Sequence, residues 1–222
     1  MQIWSYIIVA VAAYLLGSIP TGFLVAKAKG IDIRSVGSGN IGATNAMRVL
    51  GKPAGIFVLL VDAAKGFVAC VFAAIYFDQF VPGPDHFDDA YWVLSKRLML
   101  IAGIFAVLGH NYTCWLKFKG GKGIATTAGV YLALAPAALG IALTVFILAI
   151  LLTRYVSVGS IAGAIALPTA VWILSPHNLL LGIVTTALGA LAIYKHKSNI
   201  KRLMQGTESR LGRKSNNDSK NA

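Results

Sequence analysis

Charge is scarce in this chain, and acidic charge scarcest. Of 222 residues only 13% are charged, with 20 Lys and Arg against 8 Asp and Glu. A soluble domain carries about 25% charged residues. With 57% of the chain hydrophobic, the composition excludes an ordinary soluble domain and fits an integral membrane protein. Cysteine is almost absent too. Cys70 and Cys114 form no CxxC pattern and no Cys/His metal spacing, which excludes a disulfide framework and a structural zinc site. Alternating apolar and polar segments of the β-barrel kind are missing, so the spans are helical. The N-terminus has no basic leader, so the first apolar run reads as a retained helix rather than a cleaved signal.

The net charge of +12 does not point to nucleic acid, because no RNA- or DNA-binding motif is present. The basic residues fall in blocks between apolar runs, as topology signals do. A span needs about 20 apolar residues. Trp4–Val25, Pro53–Phe77, Leu98–Leu108 with its flanks, Val158–Leu174 and Leu179–Tyr194 are the clear candidates. Ile124–Leu152 is long for one span and holds Pro136 near its middle, which predicts two short helices. The expected fold is therefore all-α, with about seven transmembrane helices. Lys27, Lys29, Arg34, Arg48 and Lys52, then Lys117, Lys119 and Lys122, then Arg154, then the basic C-terminal segment all fall on one side. The opposite side carries the acidic stretch with Asp78, Asp85, Asp88 and Asp89. The positive-inside rule then puts the N-terminus outside and the C-terminus in the cytoplasm. Residues 1–211 form one membrane domain, and 212–222 read as a polar, disordered tail near anionic lipid.

Four unusual segments share the basic side. In VGSGNIGATNAMR, from Val36 to Arg48, the glycines spell GxGxxG. That pattern means a dinucleotide site only between a strand and a helix, and here a membrane helix precedes it. What remains is a polar loop with Ser38, Asn40, Asn45 and Arg48, groups suited to holding an oxyanion. In GHNYTCWLKFKGGKGIAT, from Gly109 to Thr126, Lys119 and Lys122 flank Gly120 and Gly121, with Gly123 following. This is no Walker motif, since Leu116 replaces its first glycine and Gly123 its Ser or Thr. It still offers clustered N–H groups and two ammoniums to one anion. Ser157 and Ser160 lie at a helix entry, where capping is the simplest role. His196 and Asn199 are three apart and share a helical face; Glu208, the chain's one glutamate, follows. Asp62 and Lys65, also three apart, lie inside an apolar span and read as a structural pair tying helices together.

Taken together, GSGNIGATNAMR at 37–48, GHNYTCWLKFKGGKGIAT at 109–126 and HKSNIKRLMQGTE at 196–208 resemble the bacterial acyl-phosphate:glycerol-3-phosphate acyltransferase (PlsY) family. The likeness runs from Gly17 to Gly212, with Tyr112 and Cys114 as departures from the second signature. It implies transfer of a fatty acyl group from a long-chain acyl phosphate to the 1-hydroxyl of glycerol 3-phosphate. Lysophosphatidate and inorganic phosphate are the products, at the cytoplasmic face of a bacterial inner membrane. A soluble enzyme that makes acyl phosphate is the implied functional partner, and no metal or other cofactor is implied. Carried over by position, the catalytic set is Ser38, Arg48, Lys119, Ser157 and His196. Glycerol 3-phosphate falls to Arg48, Lys119, His196 and Asn199. Gly120, Gly121 and Gly123 shape the acyl-phosphate loop with Lys122, and Glu208 holds the last helix against the site. No histidine has an Asp five positions on, so the His-x4-Asp base of other glycerolipid acyltransferases is lacking. An acyl phosphate is already activated, so orientation and electrostatics can suffice. The competing reading is a small organophosphate or anion transporter, which also uses basic groups at broken helices. A metal-dependent alcohol phosphotransferase is disfavoured because the basic-side segments hold only Asp32, Glu208 and Asp218.

Overall fold

The computed structural model describes residues 3–81 and 88–211, and they are mostly helical. In chain order the helices are α1 (Ile3–Ser18), α2 (Thr21–Lys27), α3 (Ala43–Leu50), α4 (Lys52–Phe80), α5 (Asp89–Asn111), α6 (Ile124–Leu134), α7 (Pro136–Thr153), α8 (Val156–Leu174), α9 (Leu179–Lys195) and α10 (Lys197–Met204). Asp85 and the tail 212–222 lie outside the described residues.

The breaks have local causes. Pro20 lacks an N–H and disfavours helix at Ile19, so α1 and α2 part there. Pro136 ends α6 for the same reason. It then opens α7 at the first helical position, where no donor is needed. The split expected at Pro136 is present. At the other end of α7, Arg154 adopts left-handed backbone (φ 62°) and turns the chain directly into α8.

Five segments are long and apolar enough to cross a bilayer: Ile3–Lys27, Lys52–Phe80, Asp89–Leu116, Pro136–Thr153 and Val156–Leu174. The pair α9 and α10, bent by 53°, makes a sixth when taken as one span. Among the described residues the expected seventh, α6, falls short. Its 11 residues reach about 16 Å against a hydrocarbon core of about 30 Å. The third span is longer than its apolar run, because α5 starts at Asp89 with Asp88 as N-cap.

Small residues let the helices approach. Gly17 on α1 packs against the Ala106 backbone of α5, and Gly109 against Tyr14. Gly66 and Gly129 make the same kind of contact between α4 and α6. Such crossings favour dispersion and close backbone packing where lipid gives no hydrophobic drive. Val9, Ala69, Phe77, Leu98 and Ala106 form the core between α1, α4 and α5. A second cluster, with Val130, Tyr131, Leu139, Leu167 and Leu188, joins α6 to α9. A third, with Ile33, Ile41, Ala46, Val58 and Leu116, seats the 28–42 loop and α3 on α4.

Candidate active site

The site is assembled from four connecting segments. The loop after α5 supplies Lys122. Gly120 N–H donates to the Asn111 carbonyl (3.2 Å) and Gly121 N–H to the His110 carbonyl (2.9 Å), folding the loop back on the end of α5. Gly121 abuts the Nε2 end of the His110 ring; a Cβ there would land on Nε2. Gly123 then turns into α6 with φ 82°, a conformation that side chains other than glycine's resist.

Lys122 Nζ donates to Asn199 Oδ1 on α10. Asn199 Nδ2 donates to Glu208 Oε1 at 2.7 Å, and Arg202 Nε donates to Glu208 Oε2 at 2.7 Å. Burial would raise the Glu208 carboxyl, but the hydrogen bonds from Asn199 and Arg202 hold it below the usual glutamate value. Burial pushes the Lys122 ammonium down to about 8; Arg202 and Arg48 add to that shift and Glu208 opposes it. Arg48, at the end of α3, is thus a charged neighbour of Lys122.

His196 occupies the bend between α9 and α10 and is 3% exposed. Its Nδ1 is 2.7 Å from the Ala192 carbonyl. A carbonyl only accepts, so Nδ1 carries the proton and Nε2 is the free nitrogen of the neutral ring. Lys122 and Glu208 are its charged neighbours. Ser157 is the second residue of α8 and does not cap it, as Tyr155 holds the cap position. The Ser157 hydroxyl lies near enough to Glu208 to help keep it ionised, without forming a well-directed hydrogen bond. Ser160 is not a cap either; its hydroxyl donates to the Val156 carbonyl (2.9 Å).

A short strap closes this end. Gly206 turns the chain, Leu211 N–H donates to the Arg154 carbonyl (2.8 Å), and Arg210 Nε donates to the Tyr155 hydroxyl (2.9 Å). Residues 207–211 are thereby pinned to the α7–α8 corner, with Glu208 between Ser157 and α10.

Arg48, Lys122, Ser157, His196, Asn199 and Glu208 therefore come together as expected. Lys119 does not join them. It is exposed, follows the left-handed residues Lys117 and Phe118, and is not among the charges acting on Lys122. Asn45 is not free to bind substrate. Its Nδ2 donates to the carbonyls of Ile33, Val36 and Asn40, and its Oδ1 accepts from Ser38 N–H, so it builds the loop. Asn40 Oδ1 accepts from Gly42 N–H and shapes the same turn (2.8 Å). Ser38 is exposed on that loop. Arg202 was not anticipated. It stands three residues after Asn199, hence on the same helical face, and that spacing was the available signal.

An apolar pocket opens beside the cluster. Ile124 and Thr127 line its α6 wall, Ser160 is one turn along α8 from Ser157, and Ala192 is the residue that holds His196. Leu139, Phe146 and Leu188 continue it between α6, α7, α8 and α9. Cations and a buried histidine thus stand at one end of an apolar pocket in a multi-pass helical membrane protein, a pairing of charge and grease that suits an enzyme of amphiphiles.

The comparisons with known proteins specify which kind. The family model for glycerol-3-phosphate acyltransferase matches residues 7–206. The glycerol-3-phosphate acyltransferase of Geobacter sulfurreducens is 45% identical over 205 residues, covering 92% of this chain and 97% of its own. The Clostridioides difficile enzyme of that name is 43% identical over 215 residues, covering 96% and 99%. The crystal structure of PlsY (YgiH), an integral membrane glycerol 3-phosphate acyltransferase, in its glycerol 3-phosphate form matches with TM-score 0.81 and 37% identity, covering 94% of this chain and 96% of that one. Its lysophosphatidic acid form matches with TM-score 0.78 and 36% identity, over the same shares. The chain belongs to the glycerol-3-phosphate acyltransferase family and is an acyltransferase of the PlsY type. The transporter reading has no support from any of these matches.

Proposed function

We propose that the Arg48–Lys122–Arg202 cluster binds the phosphate of glycerol 3-phosphate and that the acyl donor is a long-chain acyl phosphate. The carrying observation is the Lys122–Asn199–Glu208–Arg202 network beside His196, at the mouth of the apolar pocket. The fatty chain occupies that pocket. Two phosphates meet at the cations, and charge-assisted hydrogen bonds of about 1.5–3 kcal/mol each hold them.

The 1-hydroxyl oxygen attacks the acyl carbonyl carbon, and the carbon–oxygen bond to phosphate breaks. Inorganic phosphate leaves, and the hydroxyl proton passes to a phosphate oxygen. The second pKa of a phosphate monoester lies near 6, which suits that acceptor. His196 Nε2 and the Ser157 hydroxyl orient the glycerol and the carbonyl; Asn199 and Glu208 hold Lys122 in place. The product is lysophosphatidate, and no acyl-enzyme forms. Acid quenching of enzyme mixed with radiolabelled palmitoyl phosphate, without acceptor, tests the direct route. Protein free of label is expected, and label retained on Ser157 would overturn it.

We read seven passes with the site on the cytoplasmic face. Segments before α4, α6, α8 and after α9 all contribute to the site, which is consistent with their sharing one face. On that reading α6 and α7 leave the site and return to it as a hinged pair, with α6 as the short pass. The basic residues of the same segments support a cytoplasmic placement.

A further inference from the structure

Within the bundle lies a charged cluster that the reaction does not use. Asp62 and Lys65, one turn apart on α4, pair at 2.8 Å with side chains 4% exposed. Thr21 Oγ1 donates to Asp62 Oδ1 (3.1 Å), and Lys65 Nζ donates to the Ile19 carbonyl at the α1–α2 break (3.0 Å), which also accepts from Thr21 N–H (3.1 Å). His110 Nδ1 stands 3.7 Å from the same Asp62 oxygen. Desolvating such a pair commonly cancels its attraction, so a buried ion pair is weak ground for stability. Ionisable groups inside a membrane bundle default to a functional reading.

His110 leads from the cluster toward the site. Its ring carries Asp62 on the Nδ1 side, and its Nε2 abuts Gly121. Its carbonyl receives the Gly121 N–H, while the next carbonyl, Asn111, receives Gly120 N–H and Lys195 Nζ (2.9 Å). Lys122 is the next residue along the chain.

We propose that Asp62 and His110 are positioning residues for substrate phosphate. Asp62 fixes the imidazole, the imidazole fixes the Gly120–Gly121 turn, and the turn aims Lys122. The proposal rests on the reading that Lys122 binds glycerol 3-phosphate. It gives the intramembrane pair a role beyond tying α1, α4 and α5 together.

The test compares His110→Phe, His110→Gln, the charge-balanced double variant Asp62→Asn with Lys65→Met, and Lys122→Ala. KM for glycerol 3-phosphate, KM for palmitoyl phosphate, kcat and Tm are measured for each. His110→Phe keeps an aromatic ring but removes both ring nitrogens, and its Tm reports separately on packing. Its KM for glycerol 3-phosphate rises about 10- to 100-fold, the scale of a misaimed binding group, while KM for palmitoyl phosphate, which also draws on the apolar pocket, rises by less. His110→Gln restores part of the loss, and the double variant behaves like His110→Phe. If Lys122→Ala raises that KM and the His110 and Asp62 variants do not, the positioning role is wrong and the site reading stands. If Lys122→Ala also leaves it unchanged, the site reading fails and the proposal with it. A fall in Tm with KM unchanged assigns the cluster to the bundle alone.

Discussion

Lys122 is held by one neutral partner, Asn199, rather than by a carboxylate, and that leaves its charge available. Glu208 pairs with Arg202 directly, is hydrogen-bonded to Lys122 only by way of Asn199, and otherwise acts on the ammonium through space. Removing the ammonium by Lys122→Ala should cost roughly 1.5–3 kcal/mol of binding, or about 10- to 150-fold in kcat/KM for glycerol 3-phosphate. Lys119→Ala, at an exposed position, should stay within about fivefold of the parent. Steady-state kinetics on the two variants decides between the lysines. The pH profile gives an independent check. With its pKa lowered to about 8 by burial, Lys122 is charged below that value and neutral above it. So kcat/KM should fall as pH rises through about 8, while the substrate phosphate, ionising near 6, stays dianionic. Lys122→Arg keeps its charge and should remove the alkaline limb. A profile that still falls in that variant would move the titration elsewhere.

At the scale of elements, the loop after α5 and the strap after α10 do the positioning, and a single 3-10 turn at Cys114–Leu116 in the first is the regular structure they hold. Gly121 has no room for a side chain because the His110 ring occupies the place. Gly121→Val should lower kcat/KM by at least about 100-fold while the protein still inserts in membranes; normal turnover would contradict the loop geometry. The strap is gentler. Tyr155→Phe and Arg210→Ala both break the Arg210–Tyr155 hydrogen bond, and Arg210→Ala also removes the guanidinium from the ring face, so each should lose about two- to fivefold and the double variant no more than Arg210→Ala alone. Additive losses would show that the two residues act separately.

Across the whole molecule, much was legible in the sequence and some was not. Composition gave the class, and the basic blocks marked the segments from which the site is drawn. Pro136 marked its break because proline punctuates a helix through backbone chemistry that any sequence shows. His196, Asn199 and Glu208 were legible as neighbours by helical spacing and the adjoining motif. The choice between Lys119 and Lys122 was not. Both sit in one Gly/Lys run, and left-handed backbone at Lys117 and Phe118, which sequence does not announce, sends the chain past one and toward the other. Asn45 looked like a ligand group because a loop-building amide and a substrate-binding amide are the same residue type. Arg202 was hidden among Lys197, Lys201 and the rest of a basic helix. The length of α6 was masked because its apolar run continues unbroken into α7.

The proposed orientation has a test of its own. In a variant lacking Cys70 and Cys114, Ile3→Cys should react with an impermeant thiol reagent on intact cells. Leu211→Cys should react only after permeabilisation, and the reverse pattern would invert the proposed topology. The central claim is narrower and more directly tested. Purified protein in detergent is mixed with palmitoyl phosphate and labelled glycerol 3-phosphate, without added metal, and both products are counted. Labelled lysophosphatidate with an equal yield of inorganic phosphate is the predicted result. Protein that binds glycerol 3-phosphate yet forms no lysophosphatidate from acyl phosphate would contradict the account.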